Sequence, residues 1–241
     1  MISWYPFTST GRTDVCYSIL VQQDLKVLER EFGAMPVRTQ FEHYERLCAI
    51  DPKHFKPLAT HARIYPNYFA PVIANRDHKN WSIPMRYRMR PSGSTDEIPA
   101  KYNVFNARLD SLTSRPTWSR LLGRQHGLVV FREFYEWVPD SGPKNKKVVA
   151  FRPDGFDYMW APVLWDWWES ADKNASYFSF ALITGEPPAQ VLAAGHDRCP
   201  VFLDREHIRE WLNPASKSAS ELTSMLQKTI TCDWIVKDAT P

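Results

Sequence analysis

Four apolar segments in the middle of the chain, Leu128–Val138, Lys147–Arg152, Tyr158–Trp165 and Tyr177–Thr184, follow one another with nothing helical between them. Parallel strands need a long crossover, usually a helix, so this order excludes a regular strand–helix alternation and predicts a mainly antiparallel sheet. Helical segments lie on either side of it. Gln23–Phe32 carries Leu25, Leu28 and Phe32 at helical spacing, with Gly33 as its stop. Phe41, Tyr44 and Leu47–Cys48 mark a second helix, and Ser114 with Pro116 starts a short one to Leu122. Pro187–Ala194 is ended by Gly195, and Asp204 caps a helix to Leu212 that stops at Asn213–Pro214. Ser218 and Glu221 form a capping box for a helix to Lys228. Cys16–Val21 and the alternating tail Ile230, Cys232, Trp234, Val236 read as strands. Pro66 and Pro71 predict an extended or irregular course for Tyr65–Ile73. The expected class is α+β, a curved, barrel-like, mainly antiparallel sheet flanked by helices.

With 241 residues, 44% of them apolar, the chain can bury one large core without cross-links. A single domain is expected over residues 15–241. The leader Met1–Asp14 holds Gly, Pro, Ser and Thr without period and is expected to be disordered or not native. The net charge of +3 is too small to indicate a nucleic-acid partner by itself. Locally, Arg86, Arg88 and Arg90 alternate, so in an extended segment they share one side. That side is either a solvated edge strand, which the pattern slightly favours, or a strip for phosphates. Ten Trp, ten Tyr and thirteen Phe mostly fill a core and leave a minority to stack on bases. Cys16, Cys48, Cys199 and Cys232 form no CxxC pair and no Cys/His cluster, so no zinc and no cofactor are expected. No apolar run is long enough to span a membrane, and Met1–Thr13 lacks the features of a signal peptide. A cytoplasmic protein with free thiols is expected.

Four short pieces carry chemistry: Val15–Cys16, Asn106–Ala107–Arg108, Phe134–Tyr135–Glu136–Trp137, and the run from Gly195 to Val201. Taken singly, each has an ordinary reading. Glu136 faces water by alternation, or is buried where desolvation opposes its charge; the alternation favours water. His196, after a helix-ending glycine, suits a helix C-terminal cap. Asn106 suits a turn, and Cys16 a small core position. Together a Cys, an Asn, a Glu and a His compose a nucleophile with an acid/base set, although the sequence does not bring them together in space.

In these pieces the chain resembles the SOS-response-associated peptidase (SRAP) family, the abasic-site processing proteins of bacteria, phages and eukaryotes. The resemblance runs from Cys16 to about Leu212. Cys16 matches the cysteine that follows the family's initiator Met. Asn106–Arg108 matches its Asn-Ala-Arg motif, and Phe134–Trp137 its Phe-Tyr-Glu-Trp motif. His196–Pro200 matches its His-x-Arg-Met-Pro motif with Cys199 in place of Met, and Leu164–Trp165 matches its Leu-Trp. The chain departs from the family in three places. Tyr17–Ser18 replaces Gly-Arg after the cysteine, Glu133 replaces the Gly before Phe134, and Trp81–Ser82–Ile83–Pro84 with Tyr87 is a loose version of a Trp-rich motif.

The resemblance implies that the partner is single-stranded DNA containing abasic sites; a monomer with no obligate protein partner is expected. It implies that the Cys16 α-amine attacks the sugar aldehyde and that the Cys16 thiol closes a thiazolidine ring. An α-amine titrates at about 7.7–8.0 and is partly neutral near pH 7. By the same analogy Glu136 and His196 move protons, Asn106 orients the aldehyde or the amine, and Arg108 and Arg198 hold phosphates. Trp81 stacks on bases, Arg86 and Arg88 lie along the DNA, and a lyase side activity follows from the Schiff base. Since Cys16 is internal as written, the amine must be exposed by starting at Val15 (read as a GUG start codon) with the initiator removed, or by self-cleavage. Two rival readings use the same residues: a thiol peptidase built on Cys16, His196 and Glu136, and a noncatalytic single-strand binding module built on Arg86, Arg88, Arg90 and the aromatics.

Overall fold

The computed structural model describes residues 18–57, 63–140 and 145–239. The leader Met1–Asp14, Val15, Cys16 and Tyr17 lie outside the described residues. In chain order the strands are β1 (Ser18–Val21), β2 (Met35–Pro36), β3 (Arg63–Ile64), β4 (Phe69–Arg76), β5 (Lys79–Tyr87), β6 (Asn106–Arg108), β7 (His126–Pro139), β8 (Lys146–Pro153), β9 (Met159–Glu169), β10 (Ser176–Gly185), β11 (Cys199–Pro200) and β12 (Trp234–Ala239). The α-helices are α1 (Leu25–Phe32), α2 (Arg38–Ile50), α3 (Pro116–Ser119), α4 (Ala189–Ala193), α5 (Ile208–Leu212) and α6 (Ala219–Leu226). None is long and apolar enough to cross a membrane.

The strands close a ring. β10 pairs with β5, β5 with β4, β4 with β7, β7 with β9, and β9 returns to β10. The result is a five-stranded barrel with extra strands and flanking helices, as the sequence predicts. Pairing is mainly antiparallel; β5–β10, β6–β10 and β2–β5 are parallel. β7 belongs to two layers. Its first half, His126–Phe131, pairs with β9 inside the ring. Its second half, from Phe134, leaves the ring to pair with β8, which pairs with β12. β1 lies along the other edge of β7, with a register shift between Ile19 and Val21 that marks a bulge.

Local signals explain most boundaries. Asp24 caps α1 by accepting the Lys26 N–H, and Gly33 ends it at φ 62°, a conformation that favours glycine. Ser218 and Glu221 form the reciprocal capping box of α6. Trp211 is fully buried, donates Nε1–H to the Gly127 carbonyl at 2.8 Å and stacks on His126, which docks α5 on β7.

The course of Tyr65–Ile73 is irregular up to Phe69 and extended from there, where β4 begins, as expected. Several other expectations change. Pro71 and Pro84 face each other across β4 and β5 where neighbouring ladders are interrupted. The β4–β7 ladder starts at Val72, and the neighbour of β5 switches from β2 at Ser82 to β10 at Met85, so neither missing N–H costs a bond. Asp204 leads first into a 3₁₀ turn, Arg205–His207, and only then into α5. The last strand begins at Trp234, because residues 229–230 are taken by Leu203 and Phe202. The solvated edge strand read from Arg86, Arg88 and Arg90 is overturned: β5 is a member of the ring, and Arg86 is 4% exposed.

Candidate active site

Glu136 stands on the outer half of β7, on the face it shares with Phe134 and Val138, and is 1% exposed. The alternation that favoured water for Glu136 is corrected: Tyr135 and Trp137, the larger aromatics, take the half-buried face instead. Tyr135 is stabilised there by the Arg63 guanidinium, 3.9 Å from its ring centroid.

Facing Glu136 is His196, 3% exposed, with its Nε2 3.1 Å from Glu136 Oε2. Gly195, at φ 99°, turns the chain after α4 and packs against β7; a Cβ there would lie 3.0 Å from Pro139 Cδ. The His196 backbone N–H meets the Val191 carbonyl at 3.3 Å, so the main chain, not the imidazole, closes the helix end. The imidazole is fixed from behind: Nδ1 lies 2.9 Å from the Arg198 carbonyl. A carbonyl only accepts, so Nδ1 carries a hydrogen and Nε2 is the nitrogen turned to the Glu136 carboxyl. The two groups that face each other are an acid and an imidazole, both buried. An arrangement of this kind donates a proton in one step and recovers it in the next.

Asn106 opens β6 and is 4% exposed. Tyr87 donates its hydroxyl to Asn106 Oδ1 at 3.3 Å. Two residues on, Arg108 forms a fork with Asp110, with Nη2 at 2.7 Å and Nε at 3.2 Å. Arg198 reaches the same carboxylate at 3.2 Å. Thr184 of β10 lies between Arg108 of β6 and Pro200 of β11, which brings these separate segments to one rim. The Asp110 carboxyl is held below its usual range by the Arg108 hydrogen bonds first, and by Arg198.

Of the residues read from sequence, the structure joins Glu136 to His196, and Arg108 to Arg198 through Asp110. Trp81 stands apart from them. It lies near the β4–β5 turn, opposite Ala74, six residues before Tyr87, or roughly 20 Å along the strand. Arg86 is corrected as a phosphate ligand: its guanidinium is directed inward to Glu97, Asn67 and Tyr177. Arg88 shares that cluster, reaching Glu97 and the Ile98 carbonyl. Asp110 and Arg63 escaped the sequence reading, which named Tyr87 only as part of the loose Trp-rich motif. Asp110 follows Arg108 by two residues, a spacing that also suits any exposed pair. Cys199, which stands where the family has Met, is buried; burial first, and then the nearby Glu136 carboxylate, push its thiol well up, so it stays protonated.

Known proteins resemble the chain in sequence and in fold. A family model described as SOS response associated peptidase (SRAP) matches residues 17–237. The chain is 28% identical over 155 residues to the abasic site processing protein YobE of Bacillus subtilis (strain 168), a match covering 64% of this chain and 69% of that protein. It is 28% identical over 156 residues to the abasic site processing protein YoqW of Bacillus phage SPbeta, covering 65% and 68%. Among solved structures, a protein from Bacteroides thetaiotaomicron shares the fold with a TM-score of 0.70 at 19% identity, over 93% of this chain and 92% of that one.

Proposed function

The chain belongs to the SOS response associated peptidase family, and from that premise we propose that it processes abasic sites in single-stranded DNA by covalent capture through Cys16. The observation that carries the reading is the buried Glu136–His196 contact of 3.1 Å, an acid set against an imidazole out of water. Ser18 pairs with Tyr135, the neighbour of Glu136.

The chemistry runs in two additions. The Cys16 α-amine adds to C1′ of the ring-opened sugar, and loss of water gives an imine. The Cys16 thiol then adds to the imine carbon and its proton passes to nitrogen, closing a thiazolidine. Amine and thiol on neighbouring carbons occur together only at an N-terminal cysteine, so the residues before Cys16 must be absent or cut away. His196 gives its proton to the sugar ring oxygen as the ring opens, and the C1′ hydroxyl loses its own to water to become the aldehyde. Glu136 takes a proton from the amine and returns it to the departing water. Asn106 orients the aldehyde oxygen, and Arg108 and Arg198 hold the flanking phosphates. β-Elimination from the imine supplies a lyase side activity.

The test is a denaturing-gel assay with an abasic single strand, paired with intact-mass analysis. The native protein is expected to form a stable adduct with Cys16 as its first residue, and Cys16→Ala to form none. An undiminished adduct in Cys16→Ala, or full activity with residues 1–14 retained, refutes the proposal.

A further inference from the structure

The connection from β5 to β6, residues 88–105, contains eighteen residues and neither helix nor strand. A loop of that length inside a compact domain needs anchors of its own. Here they are ionic. Arg86 Nη1 donates to Glu97 Oε1 at 2.6 Å, Arg90 Nη1 lies 3.3 Å from the same oxygen, and Arg88 Nη1 lies 3.5 Å from Oε2. Arg88 also donates to the Ile98 carbonyl, and Arg90 to the Thr95 carbonyl at 3.1 Å. The Arg90 guanidinium lies 3.4 Å over Trp168, whose Nε1–H donates to the Ser94 carbonyl at 2.7 Å. Three guanidiniums gathered in one mostly buried place repel one another, and the Glu97 carboxylate among them turns repulsion into cohesion. Burial alone would push the Glu97 carboxyl up; the three arginines outweigh it and hold the group below its usual range.

Both ends of this connection bear on Asn106. Tyr87, between Arg86 and Arg88 but turned to the other face of β5, donates to Asn106 Oδ1. At the far end, Asn103 Oδ1 accepts the N–H groups of Asn106 and Phe105 at 3.1 and 3.3 Å. The Met89 N–H donates to the Val104 carbonyl at 2.9 Å and ties the ends together.

We propose that Glu97 is a positioning residue for Asn106: by clasping Arg86, Arg88 and Arg90 it fixes both the strand end that carries Tyr87 and the loop end that carries Asn103. The inference rests on the abasic-site reading above. Glu97→Gln keeps the shape and removes the charge. In single-turnover crosslinking to an abasic single strand, its rate constant at saturating DNA is expected to fall roughly 10- to 100-fold, as a misplacement of about an ångström does. The half-saturating DNA concentration stays close to wild type. In an Asn106→Ala background the same change is expected to alter the rate by less than about twofold, since nothing remains to position. An equal loss in both backgrounds, or a wild-type rate in Glu97→Gln, overturns the proposal. Hydrogen exchange on the protein without DNA separates the clasp from the function. The Phe105 and Asn106 amides are expected to exchange faster in Glu97→Gln, and unchanged protection there overturns the clasp whatever the DNA assay shows. Faster exchange supports it even if the wild-type protein makes no adduct, a result that counts against the function alone.

Discussion

Replacing Asp110 with Asn tests the phosphate rim most directly, because the two effects of that carboxylate have opposite signs. In the free protein it accepts from Arg108 and Arg198, but it is 51% exposed and Arg108 is 42% exposed. The exposed Arg108 pair contributes no more than about 1 kcal/mol, and Arg198, though only 14% exposed, meets the same half-exposed carboxylate, so the fold should tolerate Asp110→Asn. On DNA the same carboxylate opposes binding. A phosphate taken up on the far side of either guanidinium sits roughly 6.5 Å from it, the span of two hydrogen bonds and the nitrogens between them. At the dielectric constant of water, like charges at about 6.5 Å repel by about 0.6 kcal/mol, or about threefold in affinity. Asp110→Asn is therefore expected to tighten single-stranded DNA binding about threefold at low salt, and the gain should vanish as salt approaches about 1 M, where the screening length is about 3 Å. Arg108→Ala should act oppositely, weakening binding and reducing the salt slope by about 0.7. Fluorescence anisotropy with a labelled oligonucleotide over a salt series reads both. Unchanged or weaker low-salt binding by Asp110→Asn would mean that no phosphate meets these arginines.

Three further changes probe the site and its support. Glu136→Gln removes a charge buried at 1% exposure; adduct formation is expected to slow by roughly 10²–10⁴ while the melting temperature holds or rises, and a melting point several degrees lower would make the pair structural instead. His126 accepts the Gly123 N–H on Nε2 at 2.8 Å and faces the Trp211 carbonyl through Nδ1 at 2.9 Å; burial pushes its pKa down to about 4, against the pull of that carbonyl. Unfolded, it titrates near 6.5, so the unfolded chain binds the proton first; stability is complete above about pH 6.5 and drains away as pH falls to about 4, roughly 3 kcal/mol in all. Urea melts of His126→Gln should show a flatter profile across that window, and a wild-type slope would remove His126 as its source. A Cβ on Gly127 would meet the Ile73 carbonyl oxygen and Val72 Cγ1 at 2.9 Å; Gly127→Ala is expected to destabilise by about 1–3 kcal/mol in the same melts, and a loss under about 0.5 would show that the ring yields.

What the sequence makes legible is local. The Ser218–Glu221 box and the glycine stop at Gly33 act within one helical turn, and both stand where the spacing predicts. The α+β class follows from the uninterrupted run of strands. Which strands close the ring does not, because closure depends on β10 pairing in parallel with β5, across residues such as Phe178 and Met85 that no periodicity connects. The same limit explains the arginine strip. Alternation correctly puts Arg86 and Arg88 on one face, but the face is settled by Glu97, eleven residues from Arg86, around which the guanidiniums close.

Glu136 shows why a site is harder to read than a fold. Local pattern rewards putting Tyr135 and Trp137 inward and the carboxylate in water, and the protein does the reverse. Tyrosine and tryptophan tolerate a wet face because each has a polar handle, whereas a carboxylate in the core carries a desolvation cost that only specific partners offset. The contrast with Asp166 is instructive. That carboxylate is also buried, but Arg120 and the N–H groups of Ser92 and Trp167 donate to it, so its charge is held in place. Glu136 is set against an imidazole 3.1 Å away, whose other nitrogen lies 2.9 Å from the Arg198 carbonyl. What a buried acid is set against is decided by residues far away in the chain, here 60 positions (136 to 196), beyond the reach of any local pattern.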